Sequence, residues 1–157
     1  MIAEDYMRRA LFLAQKAFEQ DEVPIGCVIV DNKSGEIIAE TFNLCEHQED
    51  ATAHAEIKAI QRACQAKNLN RLRGADMYVT LEPCTMCAAA ISFARIENLY
   101  FGATDSKGGA VVSGVRFYEQ PTCHHRPNVY AGILAYECSQ ILKDFFKQKR
   151  KSKIKND

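Results

Sequence analysis

Two short segments constrain the fold of this chain more than any other feature of its sequence: His-Ala-Glu at 54–56 and Pro-Cys-Thr-Met-Cys at 83–87. They contain three candidate metal ligands, His54, Cys84 and Cys87. Zinc sites that only stabilise a fold have four protein ligands, whereas catalytic zinc sites keep one position open for water. The pattern therefore predicts a catalytic zinc site, and the fold must bring the two segments together.

Glu56 is the carboxylate that such a site needs. A carboxylate two residues from a ligand can take a proton from a metal-bound water and deliver it to a leaving group. The order His-x-Glu followed by Pro-Cys-x-x-Cys is the signature of the zinc deaminases of nucleobases. We interpret Glu56 as the catalytic acid–base and His54, Cys84 and Cys87 as the zinc ligands.

Each part of this pattern also has a simpler explanation. A Cys-x-x-Cys pair between a strand and a helix is typical of thioredoxin-like redox proteins, but a redox pair gives no role to His54 or Glu56. His54 alone is better explained as a core histidine. A structural zinc site requires a fourth ligand. The candidates for that ligand are Cys45, His47, Cys123, His124 and His125.

The residues around the two segments predict their local structure. Asp50 and Thr52 suit the N-cap of a helix at about 52–66. A buried strand is predicted at about 76–81, and Pro83 suits the first position of a second helix that continues over 85–94. Both pairs of functional residues are then near helix N-termini, where the helix dipole favours thiolates.

The remaining elements define the expected fold class. We predict a helix at 4–20, strands at 25–30, 36–42 and 98–101, a glycine-rich loop at 105–114, irregular chain at 119–130 and a last helix at about 131–149. Helices and strands that alternate in this way favour a three-layer α/β/α domain around one central mixed sheet.

Length and composition indicate one domain over residues 1–157, with 47% hydrophobic and 25% charged residues. No apolar run approaches the ~20 residues of a membrane span, and Glu4 and Asp5 are not typical of a signal peptide. The seven cysteines are an odd number, and those outside the metal site need not pair. We therefore expect no membrane segment and a reducing, cytoplasmic location.

Basic residues are concentrated at the C-terminus of a chain with zero net charge. Seven Lys or Arg and a single acid, Asp144, occur between residues 143 and 155. A basic helix end beside a nucleobase site could hold phosphates. Equally, cations are favoured at the C-terminus of any helix, where they are solvated.

The chain resembles the bacterial tRNA-specific adenosine deaminases of the cytidine deaminase-like superfamily over nearly its whole length. The matching stretches are Val-Pro-Ile-Gly at 23–26, Thr-Ala-His-Ala-Glu at 52–56, Thr-Leu-Glu-Pro-Cys-Thr-Met-Cys-Ala at 80–88, Phe-Gly-Ala-Thr-Asp-Ser-Lys-Gly-Gly-Ala at 101–110, Gly-Ile-Leu at 132–134 and Asp-Phe-Phe at 144–146. The stretch at 101–110 and the aromatic, basic C-terminal helix favour this family within the superfamily.

The resemblance implies a zinc hydrolase that converts the wobble adenosine of a tRNA anticodon to inosine and releases ammonia. It implies one Zn²⁺ with a bound water in each chain, tRNA as the partner and a homodimer. It also implies a single CMP/dCMP deaminase-type zinc domain, with a basic C-terminal helix and tail at about 143–157. Glu56 is then the residue that moves protons from the water to the ring nitrogen and the departing amine.

The resemblance further implies substrate contacts at seven positions. Those positions are Asn43 at the nucleoside, Ile25 and Leu81 near the base, Asp105 and Lys107 at the flanking RNA, and Phe146 and Lys149 near the anticodon bases and backbone. Each residue type also has an ordinary structural use, as a turn former, a core side chain or a solvated charge.

Two other function classes compete with this interpretation. A small-molecule deaminase of the same superfamily would act on guanine, cytosine or a nucleotide. The histidine ligand argues against free-cytidine deaminases, and the basic tail and the 105–110 loop argue against a guanine deaminase. A catalytically silent RNA-binding subunit is the second alternative, and the presence of Glu56 argues against it.

Overall fold

The computed structural model describes residues 2–156, with side chains through residue 154. A five-stranded mixed sheet lies between two pairs of helices, so the predicted three-layer α/β/α fold is confirmed. The elements are α1 (Ala3–Glu19), β1 (Gly26–Asp31), β2 (Ile37–Phe42), α2 (Ala55–Lys67), β3 (Ala75–Leu81), α3 (Thr85–Phe93), β4 (Asn98–Ala103), a 3-10 turn (Phe117–Glu119), β5 (Asn128–Ala131) and α4 (Ala135–Asn156).

The strands are arranged in the order β2-β1-β3-β4-β5. β1 pairs antiparallel with both β2 and β3, and β3, β4 and β5 are parallel. Alternate residues of a strand face opposite sides of a sheet. In β1, Cys27 and Ile29 pack in the core beneath α2 and α3, whereas Val28 and Val30 pack beneath α1. Burial on both faces explains why the central strands are predominantly apolar.

Two glycines allow helices to lie directly on the sheet. A Cβ atom on Gly26 would overlap the carbonyl oxygen of Ala10, so α1 approaches β1 without a side chain between them. A Cβ atom on Gly102 would overlap the Sγ atom of Cys138 in α4. A residue larger than glycine at either position would push a helix away from the sheet.

The predicted N-caps of the metal-site helix are wrong. α2 begins at Ala55, and His54 is its N-cap, with φ −68° and ψ 151°. Asp50 and Thr52 lie upstream in a turn of their own, in which the Asp50 carboxylate accepts hydrogen bonds from the backbone N–H and the hydroxyl of Thr52. Because these two side chains satisfy each other locally, they do not cap the helix.

The second metal-site helix also begins later than predicted. Cys84 is the N-cap of α3, and its extended backbone, with φ −73° and ψ 176°, places Pro83 outside the helix. Proline restricts the residue before it to extended conformations. Pro83 therefore ends the extended segment that follows β3, and does not occupy the first helical position.

One segment that was predicted to be irregular forms a β-strand. Asn128–Ala131 forms β5, the edge strand that pairs with β4. Ala131 thus belongs to a strand and α4 begins at Ala135, after residues with positive φ at Gly132 and Leu134. The last residue of the predicted tail, Asp157, lies outside the described residues. Within residues 2–156, no helix is long and apolar enough to cross a membrane.

Candidate metal centre and substrate pocket

Hydrogen bonds fix the starts of the two helices that carry the metal-site residues. The Thr41 hydroxyl in β2 donates to the carbonyl of Ala55 at 2.6 Å, which ties the first residue of α2 to the sheet. The carbonyls of the two N-cap residues accept the first intrahelical bonds, from Lys58 to His54 and from Ala88 to Cys84. The ligand residues are therefore held by the main chain at both helix N-termini.

The structure brings His54, Cys84 and Cys87 together. The Nδ1 atom of His54 lies 3.6 Å from the Sγ atom of Cys84 and 3.5 Å from the Sγ atom of Cys87. All three ligand atoms lie within 4.8 Å of one another. Among the side chains through residue 154, this is the one group of three or more His, Cys, Asp or Glu with such an arrangement.

This geometry fits a tetrahedral zinc ion. Zinc binds histidine nitrogen at about 2.0–2.1 Å and thiolate at about 2.3 Å, so neighbouring ligands of a tetrahedral site are about 3.6 Å apart. The nitrogen–sulfur distances of 3.5 Å and 3.6 Å agree with that spacing. One nitrogen and two sulfurs are ligands that zinc prefers, and three protein ligands leave a fourth position for water.

Within the described residues, none of the side chains considered as a fourth ligand belongs to the group that could hold the metal. Those side chains are Cys45, His47, Cys123, His124 and His125. The Nδ1 atom of His47 lies 2.8 Å from a carboxylate oxygen of Glu22. The Cys123 thiol donates to the backbone carbonyl of His125 at 3.1 Å. The arrangement therefore fits a three-ligand catalytic site better than a closed structural one.

One thiol of the group has a lowered pKa, and one carboxyl beside the group is buried. A hydrogen bond from the Cys87 thiol, and another from His54, lower the pKa of Cys84 to about 4. The pKa of Cys87 is raised in turn, because its proton is shared with the Cys84 sulfur. Glu56 is only 4% exposed, and this burial raises its pKa to about 7. A carboxyl with this pKa can both accept and donate a proton near neutral pH.

A half-enclosed cavity of about 310 Å³ opens onto the metal-binding group. Four of the predicted substrate-contact residues line it together with Glu56. The lining comprises Glu22, Val23, Ile25, Asn43, Cys45, Glu46, His54, Glu56, Leu81, Glu82, Cys84, Asp105 and Gly108. Ile25 and Leu81 supply apolar walls, and Asn43 supplies an amide. Apolar walls with a few converging polar groups are typical of a small-molecule or base pocket.

The other predicted contact residues lie outside this cavity. Lys107 is exposed on the neighbouring loop. Phe146 is 44% exposed and lines two clefts beside the cavity. Lys149 lines one of these clefts and forms an ion pair with Asp21 at 2.5 Å. Both clefts adjoin the cavity, because Val23 lines one of them as well as the cavity and Leu81 lines the other as well as the cavity.

Known proteins share this fold and site. The model of the MafB19-like deaminase family matches residues 1–150. A tRNA-specific adenosine deaminase of Agrobacterium fabrum is 59% identical over 145 residues, which are 92% of this chain and 94% of the relative. The chain belongs to the tRNA-specific adenosine deaminase family. The resemblance inferred from the sequence motifs is thereby confirmed.

Among solved structures, this chain is more similar to a tRNA deaminase than to a small-molecule deaminase. A structure from work on A-to-I editing by tRNA:A34 deaminases superposes with a TM-score of 0.85 and 59% identity, covering 88% of this chain and 99% of that one. A guanine deaminase of Bacillus subtilis superposes with a TM-score of 0.65 and 29% identity, covering 96% and 95%. Both identity and superposition favour the tRNA deaminases over the small-molecule alternative.

Sequence reasoning missed a fully buried carboxylate in the cavity wall, Glu22. It accepts hydrogen bonds from the backbone N–H groups of Glu46 and His47 at 3.0 and 2.7 Å. Burial raises the pKa of Glu22, but these hydrogen bonds outweigh burial, and its pKa is lowered. Glu22 therefore anchors the loop that follows Asn43.

A second buried carboxylate, Glu82, also lines the cavity, as do Asp105 and Gly108. Burial raises its pKa, but hydrogen bonds from Asp105, Val111 and Ser113 outweigh that effect and lower it. The apolar periodicity of the sequence does not indicate that Glu22 and Glu82 are buried, because both carboxylates accept hydrogen bonds from loop backbone groups. The available signal was the Thr-Leu-Glu-Pro-Cys stretch, in which Glu82 had no assigned role.

Proposed function

We propose that this chain deaminates the adenosine at the wobble position of a tRNA anticodon to inosine, with release of ammonia. The observation that carries the proposal is the position of Glu56 in a cavity that opens onto His54, Cys84 and Cys87. The 59% identity to a tRNA-specific adenosine deaminase supports the substrate. A guanine deaminase at 29% identity represents the less favoured class.

The metal-binding group has a defined part in this reaction. His54, Cys84 and Cys87 would hold one zinc ion per chain, and zinc supplies a water of lowered pKa as the nucleophile for C6 of adenine. Glu56 would take the two protons of that water in turn, passing the first to the ring nitrogen and the second to the departing amine. Its buried carboxyl suits both steps, since its pKa of about 7 lies near neutral pH.

The cavity wall would bind the flipped base. Adenine must leave the stack because C6 is unreachable within it. The ring would lie between the apolar side chains of Ile25 and Leu81, and the Asn43 amide would hydrogen-bond to the nucleoside. In the wall, the Cys45 thiol donates to the Oδ1 atom of Asn43 at 3.0 Å, which directs the amide group.

The rim of the cavity would contact the flanking nucleotides. Asp105 lies at the edge of the cavity and Lys107 is exposed beside it. Phe146 has an exposed ring in the adjoining clefts. The ammonium group of Lys149, which pairs with Asp21, can pair with a phosphate instead. Stacking on aromatic rings and contact with phosphates are the usual means of holding single-stranded RNA.

We also propose a homodimer and a cytoplasmic location for this single zinc domain, residues 1–157. The side chain of Phe93 at the end of α3 is 69% exposed, and Val112 and Val115 are exposed as well. If these side chains form one contiguous patch, that patch would be a candidate protein–protein contact. All seven cysteines are free, which suits a reducing compartment.

A substrate comparison tests the function. The zinc-loaded protein is incubated with an anticodon stem-loop that carries a wobble adenosine, and separately with free adenosine, cytidine, cytosine and guanine. Inosine is quantified by nucleoside chromatography and ammonia by a coupled assay. We expect inosine only in the stem-loop. Turnover of a free base or nucleoside with an unchanged stem-loop would assign the protein to the small-molecule deaminases.

A further inference from the structure

We propose that Glu82 is a positioning residue that fixes the loop 105–113 against the segment that carries Cys84. We call residues 105–113 the rim loop. This role rests on the proposed function, because the rim loop is where flanking RNA would approach the cavity. No role for Glu82 follows from the metal site or from the acid–base chemistry.

The carboxylate of Glu82 accepts five hydrogen bonds from the rim loop. Its Oε2 atom accepts hydrogen bonds from the backbone N–H groups of Val111, Val112 and Ser113 at 3.0, 2.9 and 2.9 Å. Its Oε1 atom accepts from the N–H of Asp105 and the hydroxyl of Ser113, both at 2.9 Å. A carboxylate has about four lone-pair sites, so its capacity is filled by this single loop.

The main chain around Glu82 strengthens the same connection. The N–H of Glu82 donates to the carbonyl of Ala103 at 2.8 Å, and the N–H of Ala110 donates to the carbonyl of Pro83 at 2.9 Å. Pro83 is directly followed by Cys84, the N-cap of α3. The rim loop is therefore hydrogen-bonded to the main chain of Pro83, directly before Cys84, as well as to the side chain of Glu82.

Gly109 makes this close approach possible. A Cβ atom at that position would overlap the carboxyl group of Glu82 and lie 2.5 Å from the carbonyl oxygen of Asp105. The position of the rim loop affects the cavity directly, because Asp105 and Gly108 line the cavity wall. Any displacement of the rim loop from Glu82 would therefore move part of the surface that faces the substrate.

The hydrogen bonds explain why a charged residue is buried here. Glu82 is 2% exposed, and a buried carboxylate is stable only when its oxygens are hydrogen-bonded. Loss of the carboxylate would leave the N–H groups of Val111, Val112 and Ser113 without their acceptor. The rim loop between Asp105 and Ser113 contains no helix or strand that could compensate.

The test uses Glu82→Gln with Asp76→Asn as the matched control. Asp76 is a buried carboxylate near the other end of β3, where it accepts from the side chains of Asn32 and Asn98. Glutamine keeps one acceptor oxygen but presents an NH₂ group to backbone donors. We expect Glu82→Gln to raise the KM for the stem-loop by about tenfold or more, with kcat changed less than about threefold and one zinc per chain retained.

Amide hydrogen exchange measures the positioning without any substrate. In Glu82→Gln, exchange at Val111, Val112 and Ser113 should accelerate at least about tenfold, whereas Asp76→Asn should leave these amides unchanged. If Glu82→Gln does not fold, Ser113→Ala replaces it. This variant removes one of the five hydrogen bonds, and exchange at the same amides should accelerate by a few-fold.

Unchanged exchange and unchanged KM in these variants would overturn the positioning role, as would equal effects of Asp76→Asn. The wild-type protein in the same assay tests the proposed function separately. The wild type could leave the stem-loop unchanged while amide hydrogen exchange is still faster in Glu82→Gln or Ser113→Ala. In that case the proposed substrate is wrong, and the connection between Glu82 and the rim loop stands.

Discussion

The Nδ1 atom of His54 lies 3.5 Å from the Sγ atom of Cys87, although 33 residues separate them in the chain. The contact exists because α2 and α3 lie side by side on one face of the sheet and begin near the same point. Both helices direct the positive ends of their dipoles toward this point, which lowers the free energy of a thiolate. The fold thus supplies both the ligands and a favourable field.

Glu56→Gln should separate metal binding from catalysis. The amide has nearly the same size as the carboxylate but cannot transfer the proton, so we expect turnover of the stem-loop to fall by about 10²–10⁴-fold. Zinc content, measured by elemental analysis, should remain at one per chain because Glu56 is not a ligand. Substantial turnover in this variant would remove Glu56 from the proposed mechanism.

His54→Ala should lose both metal and activity. Two thiolates alone bind zinc less tightly than three ligands do, and metal binding contributes free energy to folding. We expect substoichiometric zinc, no detectable inosine and a lower Tm than that of the wild type. A chelator should reproduce these effects in the wild type and should lower the Tm of His54→Ala much less. A fully metallated, active His54→Ala protein would overturn the assignment of this ligand.

The candidate metal-binding group was predictable from sequence because zinc chemistry requires particular residue types at short spacings. His54, Cys84 and Cys87 needed no knowledge of tertiary structure beyond the assumption that the two segments meet. The helix starts were less predictable. Asp50 is a good N-cap by residue type, but its carboxylate is occupied by Thr52 in the preceding turn. Local hydrogen bonds of this kind compete with capping and leave no mark in the apolar pattern.

The edge strand β5 and the two buried carboxylates were not predictable for different reasons. β5 has only four residues, Asn128–Ala131, between a proline and a glycine, which is too short for a periodic pattern. Glu22 and Glu82 are buried because loop backbone groups point at them. Sequence patterns report apolar faces, whereas the direction of a loop N–H group depends on the folded chain.

Glu22→Gln should weaken the fold in a pH-dependent way. The pKa of Glu22 is lowered from 4.5, so the unfolded state binds more protons as pH falls below that value. The stability that Glu22 contributes is therefore present above pH 4.5 and is lost as pH falls through the lower pKa of the folded state. We expect the variant to lose about 1–3 kcal/mol of unfolding free energy at pH 7.

Denaturant titrations of both proteins at a series of pH values measure this effect. The difference in unfolding free energy between wild type and Glu22→Gln should shrink as pH falls below 4.5, toward the lower pKa of the folded state. Asp31→Asn is a useful comparison, because its carboxylate accepts only from an exposed turn, Lys33 and Ser34. A difference that stays constant to pH 3 would contradict the anchoring role of an ionised Glu22.

Adjacent phenylalanines of α4 should have separable effects on stability and on RNA binding. Phe145 is buried and its ring packs edge-on against Phe18 at 5.5 Å, whereas Phe146 is exposed in the clefts beside the cavity. Phe145→Ala should lower the unfolding free energy by about 3–5 kcal/mol. Phe146→Ala should change stability little and weaken binding of the stem-loop by about 1–3 kcal/mol, the loss of one base–aromatic stack.

Fluorescence anisotropy with a labelled stem-loop, together with thermal unfolding, distinguishes the two variants. Zinc content should be unchanged in Phe146→Ala, because neither Cys84 nor Cys87 touches its clefts. Truncation after Phe146 should weaken binding as well, since it removes Lys149 and the basic end of α4. Because phosphate contacts are screened by salt, the truncated protein should also show a smaller dependence of affinity on salt concentration than Phe146→Ala does. If both variants bind the stem-loop with wild-type affinity, this part of α4 is a solvated helix end that does not contact the RNA.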